Sequence, residues 1–157
     1  MKTVFLGLGS NLGDRAKNLA EARQRLQPVR ASSIYETEPR DVPNQPWFLN
    51  QVIEIETDLL PRRLLSRIQK IEREMGRKRI VAKGPRLIDI DILFFAEAAV
   101  HTPDLEIPHP RIAERRFVLE PLAELAPDFR HPATRETIRE MLTRVANQSV
   151  RTFEPRP

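Results

Sequence analysis

Two acids, Asp89 and Asp91, interrupt an apolar run from Leu87 to Phe95 that is rich in Ile, Leu and Phe. That composition favours a β-strand. Residues two apart on a strand share a face, about 7 Å apart at roughly 3.3 Å per residue. Ile88, Ile90 and Ile92 then point the other way, into a core. Close carboxylates repel unless something compensates, and a divalent cation is the usual compensation. Mg²⁺ takes one or two carboxylates and completes its shell with water and substrate phosphates.

Just upstream stand Arg77, Lys78, Arg79, Lys83 and Arg86, with Gly84-Pro85 turning the chain before the last of them. Cationic side chains there can hold outer phosphate oxygens. An Asp-x-Asp pair alone is common on half-exposed strands. A basic segment and a Gly-Pro-Arg turn directly before it form a layout for gripping a nucleoside triphosphate. Phosphoryl-type transfer depends on positioning and charge stabilisation. No side chain stands out as a general base.

The elements that must position these groups follow from hydrophobic spacing. Residues 3–8 read as a buried strand. Gly7-Leu8-Gly9-Ser10-Asn11-Leu12-Gly13-Asp14 then leads into a helix begun by Gly13 or Asp14. Its spacing fits neither the Walker pattern nor the dinucleotide fingerprint, so it reads as a turn. Residues 16–26 have helical periodicity. Residues 29–35 read as a strand, and 36–46 as a proline-containing loop of functional length. This loop and the basic segment are expected to close over the substrates. Residues 47–57 alternate as an antiparallel strand, with Phe48, Asn50 and Val52 on one side and Leu49, Gln51 and Ile53 on the other. Pro61 starts a helix at a permitted position. Helices are expected at 118–126 and 134–146, with a frayed tail from Asn147. His109 lies between prolines in a rigid turn.

The resulting order is an α+β class fold: a ferredoxin-like β-α-β-β-α-β core with an antiparallel sheet, helices on one face, and additional C-terminal helices that could cover more of it. Residues 1–157 read as a single domain. Apolar residues make up 40% and charged residues 31%, ordinary for a globular chain. No apolar run is long enough to span a bilayer, no secretory signature opens the chain, and cysteine is absent, excluding thiolate metal sites. A cytoplasmic location is the expectation. The net charge of +4 implies an anionic partner without choosing among nucleic acid, membrane and phosphorylated small molecules.

The ordered motifs resemble the 6-hydroxymethyl-7,8-dihydropterin pyrophosphokinase family of folate biosynthesis. The resemblance runs from Gly-Ser-Asn-Leu-Gly-Asp at 9–14 to Pro-Leu-x-Glu-x-Ala-Pro at 121–127. Its most specific piece is Gly-Pro-Arg-x-x-Asp-x-Asp-Ile-Leu at 84–93. Supporting pieces are Tyr35-x-Thr37-x-Pro39, Gln45-Pro46-x-Phe48-x-Asn50, Glu72 with Gly76-Arg77-x-Arg79, and Pro108-His109 with Arg115-x-Phe117. The resemblance implies transfer of the β,γ-pyrophosphoryl group of ATP to the pterin hydroxymethyl oxygen, with release of AMP and two Mg²⁺ ions on Asp89 and Asp91. It further implies catalytic roles for Arg77, Arg86, Asp89 and Asp91. ATP contacts would come from Gln69, Glu72, Arg77, Arg79, Lys83, Arg86, Ile92, His109 and Arg115. Pterin contacts would come from Gly9, Thr37, Glu38, Phe48, Asn50, Asp89 and Phe117. The implied partners are these two small molecules, without nucleic acid or membrane, acting on a monomer. Two departures stand out: Arg40-Asp41 where the family often has a small hydrophobe and Gly, and Ile80-Val81-Ala82-Lys83 where many members have Arg-Trp or Arg-Asn.

The leading alternative is a small basic RNA-binding module, which the element order also fits. Such modules need aromatic platforms on central strands, and the first strand offers Phe5 alone. A non-catalytic nucleotide-binding module is the other alternative.

Overall fold

The computed structural model describes residues 1–38, 44–76 and 86–154. Its central strand, β1 (Lys2–Ser10), is antiparallel to β4 (Phe48–Thr57) on one side and to β5 (Asp89–Phe95) on the other. Two short strands, β2 (Arg30–Ala31) and β3 (Tyr35–Thr37), pair with β4. The main sheet runs β5-β1-β4-β3-β8, with β8 (Arg151–Thr152) outermost. A separate hairpin joins β6 (Val100–Thr102) to β7 (Leu105–Ile107). The fold is α+β, an antiparallel sheet with helices.

Alternation decides which helix lies where. Val4, Leu6 and Leu8 share a face with Leu49, Ile53 and Ile55 and with Ile88, Ile90 and Ile92. Leu19, Ala22 and Leu26 of α1 (Arg15–Leu26) and Leu64, Ile68 and Ile71 of α2 (Pro61–Glu74) close over them. On the reverse face Phe5, Val52, Leu93 and Phe94 are covered by Leu119 and Leu122 of α3 (Arg116–Leu125) and by Ile138 and Met141 of α4 (Ile138–Thr143). Helices therefore sit on both faces. The expectation of one helical face with extra cover underestimated the C-terminal part, whose apolar stripe has its own half of the sheet to bury. The register between β1 and β5 shifts between Phe5 and Leu6, where Phe5 pairs Phe94 but Leu6 pairs Ile92. Leu93 is the extra residue of a bulge, so Leu93 and Phe94 both enter this second core.

Local chemistry explains the ends. Asp14 caps α1, accepting from the Lys17 amide at 3.2 Å. Pro61 occupies the first turn of α2, and Gly76 follows that helix with φ +91°, a conformation favouring glycine. The strand expected over 29–35 is split. Ser32 takes the place of a ladder partner, its Oγ accepting from the Val52 amide at 3.0 Å, and Gln51 Nε2 donates to the Ser32 carbonyl at 2.6 Å. The helix expected over 134–146 is shorter. Residues 131–136 form a turn with Arg135 at φ 65°, and Thr137 caps α4 through the Glu140 amide. The tail is not frayed there: Arg151 and Thr152 pair with Glu36 and Tyr35. Among the described residues, no helix is long and apolar enough to cross a membrane.

Candidate active site

The site lies on the α3 side of the sheet, where neighbouring strands place unlike groups in rows. Asp89 of β5 is opposite Gly9 of β1, which is opposite Asn50 of β4. One step along, Asp91 is opposite Gly7, and Gly7 is opposite Val52. Strands lie about 4.8 Å apart, so the acid and the amide of a row are separated by roughly 10 Å with only glycine between them. A methyl group on Gly9 would stand 3.3 Å from Asn50 Oδ1 and 3.6 Å from Phe48 Cδ1. On Gly7 it would meet Leu93 at 3.4 Å. The two glycines thus floor a trough that any side chain would begin to fill.

A cavity of about 580 Å³ opens above this floor, within the usual range for small-molecule sites. Gly9, Thr37, Glu38, Phe48, Asn50, Arg86, Asp89, Asp91, His109, Arg115 and Phe117, all named above as candidate site residues, line it together. One flank is amide and aromatic. Asn50 Nδ2 donates to Thr37 Oγ1 at 2.7 Å, and both groups are buried. Phe48 and the half-buried Phe117 bring two rings, with the Arg115 guanidinium 5.4 Å from the centre of the Phe117 ring. The other flank is charged, carrying both aspartates, Arg86, Arg115 and His109. Arg86 Nη1 stands 3.8 Å from Asp89 Oδ1.

His109 is held from two sides. Its amide donates to the Leu93 carbonyl at 3.0 Å, and its Nδ1 accepts from the Arg111 amide at 3.2 Å. The accepting Nδ1 assigns the proton of the neutral ring to Nε2. Burial lowers the imidazole pKa most, the Arg115 cation adds to that, and Asp89 works against it. His109 is consequently a neutral hydrogen-bond donor at neutral pH.

Asn11 ties the loops together from beneath. Its amide donates to the Arg86 carbonyl at 2.9 Å, and its Oδ1 accepts from the Arg86 amide at 2.6 Å. Its Nδ2 reaches Gln45 Oε1 at 3.1 Å and the Pro46 carbonyl at 3.2 Å. A residue 1% exposed therefore joins the end of β1, the backbone of Arg86 and the chain leading into β4. Sequence reasoning gave Asn11 only a turn-forming role, and it passed over Gly7, Gln45, Leu93, Arg111 and Glu114, which also line or support the cavity. Gly7-x-Gly9 inside a strand was the available signal, since a strand glycine marks close approach.

Three expected nucleotide contacts do not line this cavity. Ile92 is 6% exposed in the core beneath α1 and α2. Glu72 is 5% exposed on α2, where its Oε2 accepts from the Ile90 amide at 3.0 Å. Gln69 is exposed on α2. Arg77, Arg79 and Lys83 lie outside the described residues, as do Arg40 and Asp41. Among the described residues no cluster of three acid or histidine ligands forms a metal site, so any ion here would rely on the aspartate pair and on ligand oxygens. The rings of Phe5 and Phe94 form no exposed stacking platform: they are 3% and 0% exposed, and Phe129 packs on them at 5.6 and 4.9 Å.

Comparison with known proteins adds independent findings. The family model described as 7,8-dihydro-6-hydroxymethylpterin-pyrophosphokinase (HPPK) matches residues 5–127. The 2-amino-4-hydroxy-6-hydroxymethyldihydropteridine pyrophosphokinase of Methylorubrum extorquens is 41% identical over 98% of this chain and 100% of its own length. The folic acid synthesis protein fol1 of Pneumocystis carinii is 36% identical over 98% of this chain, and the chain spans only 22% of that protein. A crystal structure of HPPK-DHPS in complex with substrates superposes with a TM-score of 0.76 at 17% identity, over 93% of this chain and 43% of that one.

Proposed function

The chain belongs to the 7,8-dihydro-6-hydroxymethylpterin-pyrophosphokinase family, and on that premise we propose that it transfers pyrophosphate from ATP to the hydroxymethyl group of 6-hydroxymethyl-7,8-dihydropterin in folate biosynthesis. The observation that carries the reading is the row Asp89, Gly9, Asn50. It supports one cavity with a carboxylate flank suited to metal-bound triphosphate and an amide-aromatic flank suited to a flat heterocycle.

In the proposed step the hydroxymethyl oxygen attacks the β-phosphorus. A new O–P bond forms as the bond from the β-phosphorus to the α,β-bridging oxygen breaks. That oxygen keeps the electron pair and leaves as part of AMP, and the hydroxyl proton passes to solvent. Asn50 and Thr37, bonded to one another, orient polar edges of the pterin, while Phe48 and Phe117 flank its ring. Arg86, Arg115 and the Nε2–H of His109 hold phosphate oxygens, and Arg86 together with Arg77 stabilises charge on the departing side. Asp89 and Asp91 fit Mg²⁺: both are partly exposed hard-oxygen donors lining one cavity. Two ions there would neutralise the triphosphate and favour the ionised hydroxyl. Gln69, Glu72 and Ile92 keep their proposed nucleotide roles on the α2 side of β5, outside the described cavity, and Arg79 and Lys83 keep the nucleotide roles implied by the sequence.

The order β5-β1-β4 followed by β2 and β3 supports reading the core as ferredoxin-like. A single-domain cytoplasmic monomer completes the proposal, and light scattering on the purified chain tests its oligomeric state. Incubation with ATP, Mg²⁺ and hydroxymethyl-dihydropterin tests the activity. AMP should appear in step with a pyrophosphorylated pterin. Formation of ADP, or no nucleotide turnover, would refute the assignment.

A further inference from the structure

Glu36 and Trp47 stand at the two ends of the connection from β3 to β4. Glu36 directly precedes Thr37 and Glu38, Trp47 directly precedes Phe48, and those three neighbours line the cavity. Two arginines from distant parts of the chain hold both ends. Arg15, at the start of α1, donates from Nη1 to Glu36 Oε2 at 2.8 Å and to the Trp47 carbonyl at 2.8 Å. Arg151, in β8, donates from Nε and Nη2 to Glu36 Oε1 at 3.1 and 2.7 Å, and its guanidinium lies 4.3 Å from the centre of the Trp47 ring. Each carboxylate oxygen of Glu36 thus has its own arginine.

The tail is placed to do this by backbone and packing together. Arg151 pairs with Glu36 and Thr152 with Tyr35. The Phe153 amide donates to the Ile34 carbonyl at 2.8 Å, and its ring packs against the α1–α2 core, 5.8 Å from the Arg15 guanidinium. Burial pulls the Glu36 carboxyl upward, yet the two cations outweigh it and leave the pKa below the ordinary value. Glu36 is therefore ionised across the neutral range, and the clamp is electrostatically complete.

We infer that Arg151 and Arg15 are positioning residues for the pterin flank of the cavity, acting through Glu36 and Trp47 to set where Thr37, Glu38 and Phe48 stand. This rests on the pterin reading given above. Neither arginine lines the cavity, so the effect is on placement and not on contact. The phosphate flank is held by other contacts: Arg86 by Asn11, and His109 by the Leu93 carbonyl and the Arg111 amide. Loosening the clamp should therefore act on the pterin side.

Arg151→Ala is the informative variant, because Arg151 is 64% exposed and its loss leaves the cores intact. Steady-state kinetics with the full chain should give a KM for hydroxymethyl-dihydropterin raised about fivefold, the scale of one exposed ion pair plus one cation–π contact. The KM for ATP should stay within about twofold. Arg151→Lys keeps the charge but not the planar fork, so it should recover only part of the loss. Trp47 is the chain's one tryptophan, and its quenching by iodide in the ligand-free protein should rise in Arg151→Ala, a change that general destabilisation at unaltered Trp47 packing would not produce. Unchanged pterin KM and unchanged quenching would overturn the inference, as would an equal rise in both KM values with a matching fall in Tm. If the wild-type protein makes no AMP, the functional reading fails instead, and the iodide measurement still decides whether the tail covers the loop end.

Discussion

Asp89 of β5 faces Gly9 of β1 directly across the strand pair, so the site's acid and its amide wall are separated by a residue with no side chain. Placing a methyl there tests whether that gap is used. In Gly9→Ala the new Cβ would lie 3.3 Å from Asn50 Oδ1, and Asn50 would have to give way. The Asn50–Thr37 bond would be strained with it. Pterin affinity should fall about tenfold, a cost of about 1.4 kcal/mol, while nucleotide affinity stays within about twofold. Calorimetric titration of each substrate checks this, and equal pterin binding by the variant would remove Gly9 from the site.

Asn11 makes a second, separable prediction. Asn11→Ala deletes an acceptor for the Arg86 amide and donors to Gln45 and Pro46 inside a buried setting. Leaving such groups unpaired costs roughly 1–3 kcal/mol, which urea denaturation would measure. Because the same change removes one of the two hydrogen bonds that hold the Arg86 backbone, kcat should fall about tenfold. Gln45→Ala removes one of those bonds and should give the smaller loss in both measurements. A Gln45→Ala effect equal to that of Asn11→Ala would show that the Arg86 contact contributes nothing.

His109 supplies a pH prediction. Burial and the Arg115 charge depress its folded pKa, while the unfolded chain titrates near the ordinary value of about 6.5. The unfolded state therefore binds the proton more readily. The stability due to the neutral ring is full above about pH 6.5 and is lost as pH falls through the folded pKa. In His109→Gln the decline of unfolding free energy on going from about pH 7.5 to about pH 5 should be shallower. Some slope persists, since the His131 pKa is lowered too. Urea titrations in metal-free buffer across that range check it, and identical slopes would mean that His109 is not held neutral by the fold.

Short-range periodicity is what the sequence discloses. Asp89 and Asp91 alternate with Ile88, Ile90 and Ile92, so their division between cavity and core is legible from the residue order alone. The same holds for Phe48 and Asn50 against Leu49 and Ile53. Features that depend on distant partners are not legible. Asn11 reads as a turn former because the backbone it binds lies 75 residues away. The Leu93 bulge arises from a mismatch between β1 and β5 that neither strand reveals alone. Arg151 looks like part of a polar tail until Glu36 and Trp47 stand beside it. Helix α4 begins later than its pattern allows because a turn at 131–136 takes the preceding residues.

Asp89 and Asp91 line one cavity, and the proposed reaction needs both carboxylates there. The most direct measurement is AMP release by Asp91→Asn with saturating ATP, Mg²⁺ and hydroxymethyl-dihydropterin, beside wild-type protein and with Tm recorded for both. Asparagine is nearly isosteric at this partly exposed position, so the fold should hold. Turnover should be lower by about a thousandfold or more, with Tm within about 4 °C of wild type. Near-wild-type AMP release by a folded Asp91→Asn protein would contradict the need for both carboxylates.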